Sequence, residues 1–115
     1  MEPIPYFYDS VNRSAILVKP KKPWYDWINH IYEDSPTAER KEGTIYLLGE
    51  LDELDDIERW MRVNFDHIFQ NELNDWHTAE LDWPQNRTYK MFNEWFSYEI
   101  HCSILDLEDD ETRKI

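Results

Sequence analysis

The chain has 115 residues, with 25 Asp and Glu against 12 Lys and Arg, so its formal net charge is −13. That length suits one domain, and the excess of carboxylates disfavours nucleic acid and anionic membranes as partners, since clustered Lys and Arg recognise both. With only two glycines, Gly43 and Gly49, the sequence lacks the usual glycine-rich phosphate loop, dinucleotide fingerprint and nucleophile elbow, which need clustered glycines.

The first predicted elements are a hairpin and a short helix. Residues 6–8 and 14–19 are β-prone runs separated by turn-favouring Asp, Ser and Asn. Pro23 suits the first helical position, because a backbone N–H there would have no helical acceptor. Apolar residues then follow at helical spacing: Trp24, Trp27, Ile28 and Ile31. This pattern predicts an amphipathic helix ending near Tyr32.

The middle of the chain predicts a connection, a strand and a long helix. Residues 33–43 are polar and charged, as in a solvated connection, and residues 44–51 are apolar on both faces, which favours a central strand. A helix is predicted over residues 52–77, with acidic first turns that suit its dipole. Its apolar stripe comprises Ile57, Met61, Phe65, Ile68, Phe69, Leu73 and Trp76.

The last predicted elements are a second helix and a strand. A helix of about ten residues should follow Pro84, with Asn86 as its N-cap and Tyr89, Phe92 and Phe96 turned inward. Apolar and polar residues alternate over residues 98–104, as in a half-buried strand. The charged residues 106–115 are expected to form a frayed tail.

These elements predict an α+β fold, a single mixed β-sheet of about four strands covered by two or three helices, one of them long. Residues 1–105 would form one domain with an aromatic-rich core, since 16% of the chain is aromatic. Parallel pairing of the strands on either side of the first helix would require a right-handed crossover.

The N-terminal sequence and the cysteine content favour a cytoplasmic location. The chain has one cysteine, Cys102, and its first residues have neither a basic start nor an apolar run. No stretch approaches the roughly 18 consecutive apolar residues of a membrane span.

The strongest non-random feature is acidic. Residues 50–82 carry eleven acids and two bases. We expect a docking face for a basic macromolecule, as in an inhibitor, immunity-type or adaptor protein, because clustered acids accelerate encounter. The expected contact residues are Glu50, Asp52, Glu53, Asp55, Asp56 and Glu58, with Trp60, Trp24 and Trp27 as aromatic anchors. The alternative is an acidic face that only solvates a structural domain.

No motif indicates a catalytic residue, a metal or a cofactor, so a non-enzymatic role is expected. The four histidines lack zinc-ligand spacing, and the acids after residue 50 lack the pattern of a calcium loop. The alternative is a small-molecule site or an enzyme of unidentified class. Its aromatic pocket would hold Glu50, Glu99 and His101, which lie on predicted strands.

The bases also cluster in the sequence. Lys19, Lys21 and Lys22 lie close together, and Arg40 and Lys41 form a second group. Pairing of these bases with the acidic face of a second copy would give a homodimer.

Overall fold

The structure, a computed structural model, describes residues 10–51 and 53–115. In chain order its elements are β1 (Arg13–Pro20), α1 (Lys22–Ile31), β2 (Thr44–Gly49), α2 (Leu54–Asn74), a 3-10 turn (Glu80–Asp82), α3 (Tyr89–Trp95) and β3 (Phe96–His101). The α+β class is confirmed. The predicted strand at residues 6–8 and the acid Asp52 lie outside the described residues.

The described strands form one antiparallel sheet in the order β2-β1-β3. Ile16 of β1 lies opposite Tyr46 of β2 and Ile100 of β3. The expected mixed sheet of about four strands is therefore an antiparallel sheet of three in this part of the chain. No parallel crossover is needed, because β1 and β2 pair antiparallel. Within residues 10–51 and 53–115, β1 is the central strand and β2 lies at an edge, in contrast to the central position predicted for residues 44–51.

Side-chain alternation gives the sheet a core face and an open face. On the core face, Ile16 and Val18 of β1 are fully buried. Four partly buried residues pack against the same core: Tyr46, Leu48, Tyr98 and Ile100. On the open face, Ile45 is 64% exposed and Leu47 is 55% exposed. These two residues make β2 apolar on both faces, which explains why its sequence has the composition of a central strand.

Helix α1 begins one residue before its proline. Pro23 occupies an early position where its missing N–H costs no helical hydrogen bond. Trp24, Tyr25 and Ile28 are buried. The predicted end is confirmed, because the Tyr32 backbone N–H caps the helix by donating to the Ile28 carbonyl.

Helix α2 is the longest element, with 21 residues, and is shorter than the predicted span 52–77. Asp55 and Asp56 lie in its first turn, where the helix dipole favours carboxylates. Arg87 Nε donates to Asp66 Oδ1 at 2.7 Å and joins α2 to the segment before α3. This guanidinium lowers the pKa of Asp66. The buried residues of α2 are Ile57, Met61, Ile68, Phe69, Glu72 and Leu73.

Helix α3 differs from its prediction at both ends. Its N-cap is Thr88, whose hydroxyl accepts from the Met91 backbone N–H at 3.1 Å, so the assignment of Asn86 as the cap is wrong. Asn86 has a φ of 55°, a left-handed conformation that asparagine tolerates in turns. The helix has seven residues, and Phe96 already belongs to β3.

The core combines aromatic and aliphatic side chains. Phe69 lies at its centre, with ring centroids 6.0 Å from Phe92, 5.6 Å from Trp95 and 5.2 Å from Phe96. Buried aliphatic residues from β1, α1 and α2 complete the cluster. The aromatic-rich core is confirmed, and it joins α2, α3 and β3.

The end of the chain is exposed apart from partly buried Asp106. Fraying of residues 106–115 stays a prediction. Within the described residues, no helix combines the length and apolarity needed to cross a membrane.

Candidate functional sites

The acidic surface lies at the start of α2. We use this name for Glu50, Glu53, Asp55, Asp56 and Glu58, because Asp52 is outside the described residues. Four of these acids are exposed and Asp56 is partly buried. Asp56 pairs with Arg59 at 3.2 Å, whereas the other four form no ion pair within residues 10–51 and 53–115.

Two apolar side chains are exposed on the same helix. Leu54 is 57% exposed and lies between acids in the sequence, and Val63 is 76% exposed. Val63 follows Arg59 by four residues and precedes His67 by four, which places the three on one helix face. Leu54 therefore adjoins the acidic surface, whereas Val63 lies further along the helix, and a partner could bury both.

The three predicted tryptophan anchors differ in accessibility. Trp24 is buried, and its Nε1 donates to the Glu72 carbonyl at 3.3 Å, so it is a core residue and not an accessible anchor. Trp27 is partly buried, with Nε1 donating to the Asp82 carbonyl at 2.9 Å. Trp60 is partly buried and packs against the core.

The structure does not assemble the predicted pocket of Glu50, Glu99 and His101. Glu99 and His101 lie on the open face of β3, where His101 Nε2 is 3.4 Å from Glu99 Oε2, and both are exposed. Glu50 follows β2, on the other side of central strand β1. The three residues therefore do not converge.

A hydrogen-bonded trio that the sequence did not predict joins the end of α1, the loop after α2 and the 3-10 turn. Tyr32 Oη lies 2.8 Å from His77 Nδ1, and His77 Nε2 lies 2.8 Å from Asp82 Oδ2. With Nε2 protonated, the phenol donates to Nδ1 and the imidazole donates to the carboxylate. Trp83 Nε1 also donates to the His77 carbonyl at 2.7 Å. This network fixes residues 77–83 against the end of α1.

A buried carboxylate lines a small cavity beside β2. Glu72 accepts a hydrogen bond from Tyr46 Oη, and Asn71 Nδ2 donates to the same phenolic oxygen at 2.9 Å. Burial raises the pKa of Glu72, and burial together with the nearby carboxylate raises the pKa of Tyr46. The cavity holds about 170 Å³, and Trp76 and Arg40 also line it.

The predicted basic groups meet around one open depression of about 850 Å³. Arg40 lies over Trp76, with its guanidinium carbon 4.2 Å from the ring centroid. We call this region the basic depression, lined by Lys19, Pro20, Lys21, Lys22, Glu39, Arg40, Lys41 and Ser97. The sequence showed both groups of bases but not the cavity between them.

Metal-ligating side chains are dispersed. Within the part of the chain that the structure describes, no three His, Cys, Asp or Glu residues are grouped so that they could hold a metal ion. Cys102 is exposed and forms no disulfide in the same residues.

Comparisons with protein-family models, with curated proteins and with solved structures find no match to this chain.

Proposed function

We propose that this chain is a non-enzymatic interaction protein that docks a basic macromolecule through the acidic surface, in an inhibitor-like or adaptor role. The observation that carries the proposal is that four carboxylates of this surface are exposed and have no cationic partner among the described residues. Glu50, Glu53, Asp55 and Glu58 are exposed and form no ion pair within the described residues. Their charges are available to a cation on another molecule.

The negative charge of these carboxylates can speed the encounter with a basic partner. Charges of one sign on one surface steer an oppositely charged partner and speed association, and they repel acidic competitors. Rim charges contribute less to the lifetime of a complex than a buried contact does. Leu54 and Val63 supply exposed apolar area on the same helix for such a contact.

The test is a charge reversal on α2, in the variant E53K/D55K/E58K. The wild type and the variant are immobilised separately and exposed to native lysate at low salt. We expect a basic protein that the wild type retains and the variant loses. With that protein purified, the variant should associate at least about tenfold more slowly, with a weaker dependence on ionic strength.

A matched control separates local charge from net charge. The variant D109K/D110K/E111K changes net charge by the same amount in the exposed tail and should retain the partner at the wild-type rate. Equal retention by all three proteins, or loss in both variants, would contradict the proposal. Equal retention by all three proteins would indicate that the acidic surface only keeps this face of the protein solvated.

The reversal also weakens the helix slightly, because Asp55 lies in the first turn. Loss of one such carboxylate costs about 0.3–1 kcal/mol, so circular dichroism and thermal unfolding accompany each binding measurement. The neutral variant E53Q/D55N/E58Q removes the charges without placing cations at the helix start. Its association should be slowed in the same direction by a smaller factor.

A further inference from the structure

We propose that the basic depression binds a small ligand that carries two or more phosphate groups. This site uses the region around the start of α1 and is separate from the acidic surface on α2.

The distribution of cations is the first observation. Five of the twelve Lys and Arg residues of a chain with net charge −13 line one depression, and Glu39 is the single acid among its lining residues. They come from two segments, residues 19–22 at the junction of β1 and α1 and residues 40–41 before β2. The fold brings these like charges together, and an anion in the same space would offset their mutual repulsion.

Two of these cations are held in place before any ligand arrives. The Lys21 backbone N–H donates to the Trp95 carbonyl at 2.7 Å, and Lys21 Nζ donates to the Asn93 carbonyl at 3.0 Å. The Arg40 backbone N–H donates to Tyr25 Oη at 2.9 Å while its guanidinium lies over Trp76. Preorganisation lowers the entropy cost of binding.

Glu39 and the Lys22–Asp26 pair compensate only part of the positive charge of the depression. Lys22 pairs with Asp26 at 2.8 Å, whereas Lys19, Lys21, Arg40 and Lys41 form no ion pair with residues in the described ranges. Lys21 and Lys22 also lie at the positive end of α1, whose first turn has no acid. A bound anion would relieve this repulsion.

The chemistry of the cations favours phosphate. Lysine ammonium groups act as point charges for phosphate oxygens, and an arginine fork can bind two of those oxygens together. The volume of about 850 Å³ lies within the range of small-molecule sites. A compact anion is preferred to a nucleic acid, because a long polyanion would extend beyond the depression over a strongly acidic protein.

The test is calorimetric titration of the full chain with phosphate, pyrophosphate and tripolyphosphate at constant ionic strength. We expect one site whose affinity rises with the number of phosphate groups. The variant K19Q/K41Q removes two exposed cations with no ion pair in the described part of the chain. It should bind tripolyphosphate at least about tenfold more weakly, which corresponds to about 1.4 kcal/mol.

The control variant K90Q/K114Q removes the same charge from outside the depression and should bind within about twofold of the wild type. Equal weakening in both variants would show a general charge effect and overturn the proposal. Equal binding of citrate would overturn the choice of phosphate.

Two further measurements test a nucleic acid and a second copy of the chain as alternative occupants of the depression. A 20-nucleotide single strand that binds more tightly than tripolyphosphate, and depends on Lys19 and Lys41, would replace the compact ligand with a nucleic acid. Light scattering at low salt tests the second copy as an occupant. A dimer that K19Q/K41Q dissociates but tripolyphosphate leaves intact would show that a second copy of the chain, and not a phosphate ligand, fills the depression, which would overturn the proposal.

Discussion

The acidic surface and the basic depression are built in opposite ways. The acids lie within nine consecutive positions of the chain, so their proximity follows from the sequence alone. The bases come from two segments about 20 residues apart, and only the fold places them around one cavity. A cluster of residues that are close in the sequence stays together in any fold. A cluster of residues from distant segments forms only when those segments pack correctly. Mutations that disturb packing should therefore weaken the depression before they affect the acidic surface.

The largest expected effect comes from the core residue Trp24, which follows Lys21 and Lys22 in the sequence and lines the cavity beside β2. Trp24 is 2% exposed, and its replacement by alanine should cost about 3–5 kcal/mol in the free energy of unfolding, because a large cavity forms. The variant V63A, on the exposed face of α2, should change it by less than about 0.5 kcal/mol. Urea unfolding measures both. Similar losses in the two variants would contradict the assignment of Trp24 to the core.

An intermediate effect is expected at Gly43, where the chain passes close to β1. A Cβ at this position would lie 2.6 Å from the Val18 carbonyl oxygen and 2.9 Å from Leu17 Cδ1. Because the first of these atoms is backbone, G43A must displace the segment that carries Arg40 and Lys41. We expect a loss of about 1–3 kcal/mol in stability and weaker tripolyphosphate binding.

The second glycine provides the matched control for that prediction. A Cβ at Gly49 meets nothing within 4 Å, so G49A should leave both stability and anion binding near wild type. Thermal unfolding and the titration described above distinguish the two variants. If G43A binds tripolyphosphate as the wild type does, the depression does not depend on close packing of this segment against β1.

The smallest effect is a change in pH dependence at Glu72, whose cavity also contains Arg40. Burial raises the pKa of Glu72 in the folded state above its unfolded value. The protonated form therefore contributes stability that is present below the unfolded pKa and is lost as pH rises through the folded pKa. E72Q should remove this loss, with stability at low pH within about 1 kcal/mol of wild type.

Unfolding free energies measured from pH 4 to 8 check this prediction. The wild type should lose stability relative to E72Q as the pH increases over this range. Parallel curves for the two proteins would show that Glu72 ionises in the folded chain as easily as in the unfolded one.

The sequence predicted features that depend on residues within a single helix, such as an apolar stripe or a helix start. The helical period gave the buried stripe of α2, including Ile57 and Phe69, and Pro23 marked the start of α1 within one residue. The edge position of β2 was missed, because Ile45 and Leu47 are apolar yet face away from the helices. Asn86 and Thr88 are both good caps, and only the local backbone distinguishes them.

The candidate sites also divide into one that the sequence shows directly and others that only the fold assembles. The acids of α2 were visible as a charge run, whereas the trio of Tyr32, His77 and Asp82 has no spacing that a sequence pattern could detect. Its members come from segments that meet only in the folded chain. The same holds for Tyr46 and Glu72, whose contact depends on how α2 lies across β2.

The central position of β1 has a consequence for biosynthesis. This strand is made early, but β3, which covers one of its edges, is complete only about 80 residues later. At 5–20 residues per second the ribosome needs about 4–16 s for that interval, during which the growing chain has an unpaired strand edge. The eleven acids of residues 50–82 emerge within this period. Their like charges disfavour close approach of neighbouring nascent chains while this edge is unpaired.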